Sequence, residues 1–429
     1  MFRTRLKRFL AGIHDNYRRR GLRSSVWFIV LTLRRKAGLI VTSATSKAQT
    51  RTLRAEMRAE RLLAPGQITL AVLLSGGVGD TIVIARFIRD LMLVAPGASF
   101  DVFLARPAMA AQVFQALPGF RQAYHDALFE PLRSEYDVAL RANQTVIAYE
   151  EHLNWQALRD VPGIVGALRE MRRARADIED FIQLHPTRDN FLARKVVFAG
   201  HDRRTFLHAM AGISYGGDHL AIARDATAPT RFGLAAGQYV TVHNGYDPDF
   251  IIAGPRATKC YPHFGEVVAK LKALYPGIAF VQVGTTTSEP IAECDLNLIG
   301  RTTMTEVAGL LAGALAHIDN EGGLVHMAAC LGVRSVVVFG PTPSDYFGYP
   351  GNANVEPAVC GNCWWITRSW MERCVKGYPA PRCLEDLSPE VVATQAAMLI
   401  GTAECETAPA SRPRADMATT LLGGVATPS

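Results

Sequence analysis

His317-Ile318-Asp319-Asn320-Glu321-Gly322-Gly323-Leu324-Val325-His326-Met327-Ala328-Ala329 runs on through Cys330-Leu331-Gly332-Val333 into Ser335-Val336-Val337-Val338-Phe339-Gly340-Pro341-Thr342. It reads as strand, polar glycine turn, short helix, glycine stop, strand and turn. The turn sets two glycines at a helix N-terminus, where unpaired N–H groups and the helix dipole favour a phosphate. Glu321 falls at the carboxyl edge of the strand, where α/β proteins bind ligands, and can accept hydrogen bonds from sugar or ribose hydroxyls. His326, one turn on, reads equally well as a core histidine.

Strand–helix alternation extends from this unit in both directions. Tyr239–His243, Ile278–Val283, His317–Asp319 and Ser335–Phe339 read as strands. Phe264–Tyr275, Thr303–Ala314, Leu324–Leu331 and Pro389–Ile400 read as helices. Upstream, Ile68–Leu74 is a continuous apolar run, as a parallel strand covered on both faces requires. Phe100–Leu104 and Tyr136–Leu140 follow as strands, and Thr81–Val94 as a helix. Residues 150–200 are mostly helical in pattern. Two βαβ series separated by a break near residues 215–236 predict an α/β protein of two Rossmann-like, doubly wound domains facing a cleft. The expected units are a basic extension (1–64), an acceptor domain (65–232), a nucleotide-sugar domain (233–403) and a disordered tail (404–429) poor in bulky apolar residues.

Length and composition agree with a folded two-domain chain: 429 residues, 49% hydrophobic. The net charge of +7 is unevenly spread. Residues 1–61 hold sixteen Lys/Arg against Asp15, Glu56 and Glu60, which leaves −6 for the remaining 368 residues. The extension mixes Arg18-Arg19-Arg20 and Arg34-Arg35-Lys36 with Trp27, Phe28 and Ile29, a texture that favours an anionic membrane surface. A solvated arm or a contact with another subunit fits the same residues, and an oligomer is left open. No nucleic-acid-binding motif accompanies the charge. The apolar run Val26–Leu33 is far short of the roughly 20 residues that span a bilayer. A cytoplasmic protein, peripheral on the inner membrane at most, is expected.

Two further motifs bear on chemistry. Ser75-Gly76-Gly77-Val78-Gly79-Asp80-Thr81 sits between a buried strand and a helix. Its glycines, Gly79 included, allow a ligand to approach the backbone, and Asp80 falls where it can also simply cap the helix. His243-Asn244-Gly245 follows the strand from Tyr239, and Lys259 precedes a proline-started helix from which its charge can reach a diphosphate. Asp247-Pro248-Asp249 reads as a turn rather than a metal-binding pair.

Taken in order, Gly-Asp after the first strand, the Lys259 segment and Asn-Glu-Gly-Gly-Leu-Val-His-Met-Ala-Ala with its Phe-Gly-Pro-Thr sequel resemble glycosyltransferase family nine, the ADP-heptose:lipopolysaccharide heptosyltransferases. The likeness covers roughly residues 68–400 and is thin over 140–235. It implies an inverting GT-B enzyme that needs no catalytic metal and uses an ADP-sugar as co-substrate. Asp80 matches the base that deprotonates the acceptor hydroxyl, Lys259 the residue that steadies the leaving diphosphate, and Glu321, Gly322, Gly323, Leu324 and His326 the donor-binding turn. Asn244, Gly245 and Gly79 join that donor set. The family usually has Asp at the position of Glu321, Ser or Thr at Gly322 and Trp near Tyr261, so the donor pocket is altered. Heptose is the sugar implied, passed to a saccharide or protein acceptor in cell-surface glycan assembly. A non-catalytic nucleotide-sugar-binding scaffold and an epimerase-like GT-B enzyme are the competing readings.

Cys360, Cys363, Cys374 and Cys383 follow as C-x2-C-x10-C-x8-C, spacings at which four thiolates can close a tetrahedral site for structural zinc or iron. Buried free cysteines or disulfides are the plain alternatives, the latter disfavoured by a cytoplasmic location. A similar cysteine set occurs in the iron-binding autotransporter heptosyltransferases, a branch of the same family.

Overall fold

The computed structural model describes residues 48–64, 66–247 and 256–407, with the side chains of 404–407 excepted. Most of the basic extension, Pro248 and Asp249 of the expected turn, and residues 408–429 of the expected tail lie outside the described residues.

The first half is a five-stranded sheet, β1 (Thr69–Leu74), β2 (Ser99–Leu104), β3 (Phe120–His125), β4 (Val138–Ala142) and β5 (Val146–Ala148), in the order β3-β2-β1-β4-β5. Its pairings are parallel except for the β4–β5 hairpin. Leu70, Ala71 and Val72 of β1 are fully buried, as the unbroken apolar run demands. Helix α1 (residues 48–63) lies on this half, its arginines spent internally: Arg54 and Arg58 pair with Glu135, and Arg61 with Asp137. That segment is therefore packed onto the sheet domain. Helix α2 (Val78–Leu93) follows β1, and α3 (Pro107–Phe114) follows β2. The poorly matched region supplies α4 (Pro162–Leu184), α5 (Asp189–Phe198) and α6 (Phe206–Ala211).

The second half repeats the plan with six parallel strands, β6 (Tyr239–Val242), β7 (Ala279–Gln282), β8 (Leu296–Asn297), β9 (Ala316–Asn320), β10 (Ser335–Val338) and β11 (Ala353–Val355). Their order is β11-β10-β9-β6-β7-β8. Helices α7 (Phe264–Leu274), α8 (Met304–Gly313), α9 (Gly323–Cys330) and α10 (Pro389–Thr407) cover it. The last helix continues past Thr402, where the sequence texture suggested a tail. Strands β3, β5, β8 and β11 escaped the sequence reading, three of them because two or three residues carry no period and β3 because its edge position tolerates Arg121 and Gln122.

The halves are joined by more than a linker. One apolar cluster runs from Ile84, Phe87 and Leu91 of α2 to Val325 and Ala328 of α9, and on to Tyr346, Trp364 and Trp370. Full burial of a side chain such as Phe87 contributes about 1.5–3 kcal/mol, so this shared core stabilises the docked arrangement. Arg86, with no exposed surface, threads the same seam and donates to the Tyr349 hydroxyl at 2.6 Å and to the Cys330 sulfur at 3.2 Å. No helix among the described residues is long and apolar enough to cross a membrane.

Candidate active site

Both sheets reverse strand order beside their first strand, and both reversals open at strand carboxyl ends, where α/β folds place ligands. In the first sheet the reversal lies between β1 and β4. The turn after β1 is tight: Gly76 has φ +116°, and a Cβ there would run into the Asp80 carboxylate. Asp80 does cap α2, because its Oδ2 accepts from the Gly77 N–H at 3.3 Å. Capping is not its whole setting. Its Oδ1 accepts from Arg203 Nη2 at 2.8 Å and from Gln144 Nε2 at 3.3 Å, while the side chain keeps 29% of its surface exposed. A carboxylate anchored on Oδ1, with only a long contact on Oδ2 and part of its surface open to solvent, is suited to taking a proton.

In the second sheet the reversal lies between β6 and β9. His243, just past β6, shares a 2.7 Å hydrogen bond with Asp319 of β9, whose other oxygen meets His317 at 3.3 Å. Burial opposes the Asp319 charge, but the two histidines hold its pKa below the ordinary carboxylate value. Lys259 reaches the same strand end and pairs with Glu321 at 3.3 Å. Burial works against the Lys259 ammonium, and Glu321, with Asp319 further off, outweighs it and raises its pKa. The lysine is thus a charged, nearly enclosed cation at the strand edge. Gly322 and Gly323 begin α9 beside it.

The two turns meet. A Cβ on Gly79 would lie 2.6 Å from His326 Cδ2 and 3.4 Å from Gly323 Cα, and one on Gly323 would lie 3.1 Å from Val78 Cβ. Glycine at both positions lets the N-termini of α2 and α9 approach face to face across the seam. His326 is buried there, with Nδ1 2.6 Å from the Tyr349 hydroxyl. Burial first, then the cations Arg86, Arg203 and Lys259, push its pKa well below the usual histidine value. It is a neutral seam residue within electrostatic reach of both the Asp80 partner and Lys259.

Other expected site residues have more structural surroundings. Asn244 is occupied by the end of β7 and the loop after it, donating to the Glu289 carbonyl and accepting from Gln282. Gly245 lies against His243, Thr287 and Ser288 with no room for a Cβ. Leu324 packs between the two cores. Asp247 carries its carboxylate to Arg106 of the first half at 3.1 Å. Arg203, Gln144, Tyr346, His243 and Asp319 went unpredicted. The first two come from the region without recognisable pattern, and only the position of His243 beside Asn244-Gly245 offered a signal.

The four-cysteine loop adjoins this site. Asn362 and Trp364 donate backbone hydrogen bonds to the carbonyls of Gly340 and Pro341, and Thr258 donates to those of Met371 and Trp370. The loop therefore braces both the Gly-Pro turn and the residue before Lys259. Its thiols are free. Cys360 and Cys383 share a thiol hydrogen bond, and burial followed by the neighbouring cysteines pushes Cys363 up to about 11 and Cys383 up to about 12. Even so, no three His, Cys, Asp or Glu side chains among the described residues are grouped to hold a metal ion. A separate cavity of about 290 Å³, lined by Met57, Arg61, Thr69 and Arg121, lies at the amino end of β1, the wrong end for a nucleotide in this topology.

Residues 250–365 match the model of glycosyltransferase family 9 (heptosyltransferase). A stretch of 101 residues is 28% identical to lipooligosaccharide heptosyltransferase 2 of Haemophilus influenzae, covering 20% of this chain and 29% of that protein. The match thus spans less than a third of that relative's length. Among solved structures, the chain is similar to the dodecameric iron-containing heptosyltransferase TibC in complex with ADP-D-beta-D-heptose. The TM-score is 0.50 at 13% identity, over 79% of this chain and 76% of that one. It is also similar to E. coli ADP-heptose lps heptosyltransferase II, with a TM-score of 0.48 at 17% identity, over 79% of this chain and 100% of that one. The fold is GT-B, and residues 250–365 carry the likeness to glycosyltransferase family 9.

Proposed function

We propose that this heptosyltransferase-like chain is an inverting glycosyltransferase that moves heptose from an ADP-linked donor to a hydroxyl of a saccharide or protein acceptor in cell-surface glycan assembly. The observation that supports the reading is the close approach of Gly79, next in sequence to Asp80, to Gly323 and His326 at the start of α9. Asp80 takes the acceptor proton as the acceptor oxygen bonds to the anomeric carbon. The bond from that carbon to the diphosphate breaks, and ADP departs. Lys259 and the N–H groups at the start of α9 receive the charge that develops on the leaving oxygen, which is where preorganised electrostatics lowers the barrier most. Glu321 holds donor hydroxyls and His326 fills the seam behind them.

The test is transfer from ADP-heptose, with other ADP-sugars as competitors, to heptose-deficient lipooligosaccharide core or to a serine-rich protein domain. Asp80→Asn should cut transfer to a small residual rate and keep donor affinity. Wild-type protein that binds ADP-heptose and never transfers it would point to the scaffold reading.

The four cysteines are proposed to take up a structural zinc or iron ion once deprotonated, which metal binding itself promotes. Their proximity and the bracing of the Lys259 segment support this, and the ion has no step in the reaction. Elemental analysis finding neither metal near one per chain would remove it. Peripheral attachment to an anionic inner-membrane surface is proposed for the basic residues before α1. Vesicle partition should fall when residues 1–47 are deleted, a cut that spares α1.

A further inference from the structure

Asp80 is aligned by two side chains, and both are held by one residue of the opposite half. Tyr346, in the short helix after β10, donates its hydroxyl to Gln144 Oε1 at 2.9 Å, and its backbone carbonyl accepts from the Arg203 N–H at 2.8 Å. Gln144 and Arg203 in turn supply both donors to Asp80 Oδ1. Tyr346 is 1% exposed, and burial keeps its phenol protonated and able to donate. Gln144 is also buried, so its amide has two orientations of which only one works. With Oε1 on the tyrosine hydroxyl, Nε2 faces Asp80. Turned over, the amide oxygen would face a carboxylate oxygen, and the two would repel.

From this geometry we infer that Tyr346 is a positioning residue for Asp80: it fixes the Gln144 amide and the Arg203 backbone from the donor half, so that the base is in register only when the two halves are docked. The inference rests on the reading of Asp80 as the base. Oδ1 is the anchored oxygen, and Oδ2, held only by the long Gly77 contact, is the one that receives the proton. Docking of the donor half then aligns the base, a coupling that protects the sugar donor from attack before the site is assembled.

Tyr346→Phe tests this while keeping the ring in its core and the carbonyl on Arg203. With ADP-heptose and lipooligosaccharide core, kcat should fall roughly tenfold, the cost of one lost hydrogen bond that leaves its partner buried and unpaired. The KM for ADP-heptose and the affinity for ADP should stay near wild type, while the melting midpoint falls by a few degrees because Gln144 Oε1 is left unpaired. In an Asp80→Asn background the same change should do nothing further, because coupled residues are not additive. An unchanged kcat, or an equal drop in both backgrounds, overturns the inference. So does a structure of Tyr346→Phe in which Gln144 Nε2 remains on Asp80 Oδ1. If Asp80→Asn itself transfers normally, the reading of the base fails. If Asp80→Asn is inactive and Tyr346→Phe is not impaired, only the positioning role fails.

Discussion

Arg203 is 1% exposed, yet its guanidinium reaches a carboxylate on the other side of the β1–β4 reversal, with Nη2 2.8 Å from Asp80 Oδ1. The same nitrogen also donates to the Asn143 carbonyl at 3.1 Å. A buried cation on the candidate base ties the chemistry of the site to its stability.

Removing the carboxylate should therefore destabilise the chain. Asp80→Ala leaves the guanidinium without its counter-charge, and a cost of about 2–3 kcal/mol is expected, below the full price of a buried pair because Asp80 is partly open to solvent. Asp80→Asn keeps an oxygen for Nη2 and should lose clearly less. Urea denaturation of both variants checks this, and equal losses would contradict the pairing.

The glycine contact across the seam predicts a compensating pair. Gly79→Ala forces its new methyl against His326 Cδ2, and overpacking of this kind costs about 1–3 kcal/mol. His326→Ala opens space for it. The double variant should be more stable than the sum of the single changes, as read by melting midpoints, and strict additivity would show that the two turns do not touch.

Lys259 should act on the diphosphate and not on the nucleoside. Lys259→Met is expected to weaken ADP binding and to lower kcat roughly 100-fold, in the range seen when one preorganised group facing the developing charge is lost. Adenosine affinity should be unchanged. Calorimetry with both ligands decides, and a parallel loss of both would make the lysine merely structural.

His326 predicts how stability follows pH. Its folded pKa lies well below 6.5, so under mild acid the unfolded chain binds a proton that the folded chain refuses. Stability from this group is complete above the unfolded value and is lost as pH falls through about 6.5, at up to about 1.4 kcal/mol per pH unit. Between pH 7.5 and 5.5 the melting midpoint of wild type should drop more than that of His326→Gln. Parallel curves would mean that the imidazole titrates freely.

The sequence revealed what a period or a glycine turn can encode. The run Leu70–Leu74 and the Asn320–Gly323 turn were visible because burial on both faces and a phosphate-ready helix start each leave a local composition. Lys259 and Asp80 come through resemblance, and the structure has them engaged, by Glu321 and by Arg203. Arg203 and Gln144 could not be read. Their importance arises from meeting Asp80 across 123 and 64 positions of chain, and such meetings leave no mark on neighbouring residues. The His243–Asp319 pair is of the same kind, joined only when β6 and β9 lie side by side. The cysteine spacing was plain, but spacing along a chain does not fix how four sulfurs are disposed in space.

The apolar cluster that passes from α2 into α9 carries a consequence for anyone who would rebuild this molecule. A nucleotide-sugar half borrowed from a cousin would arrive with its own contour, and unless it offered equivalents of Val325, Ala328 and Tyr349 the graft would leave Phe87 and Arg86 stranded in water. Chimeras should be cut around this seam, with its residues transplanted as a set.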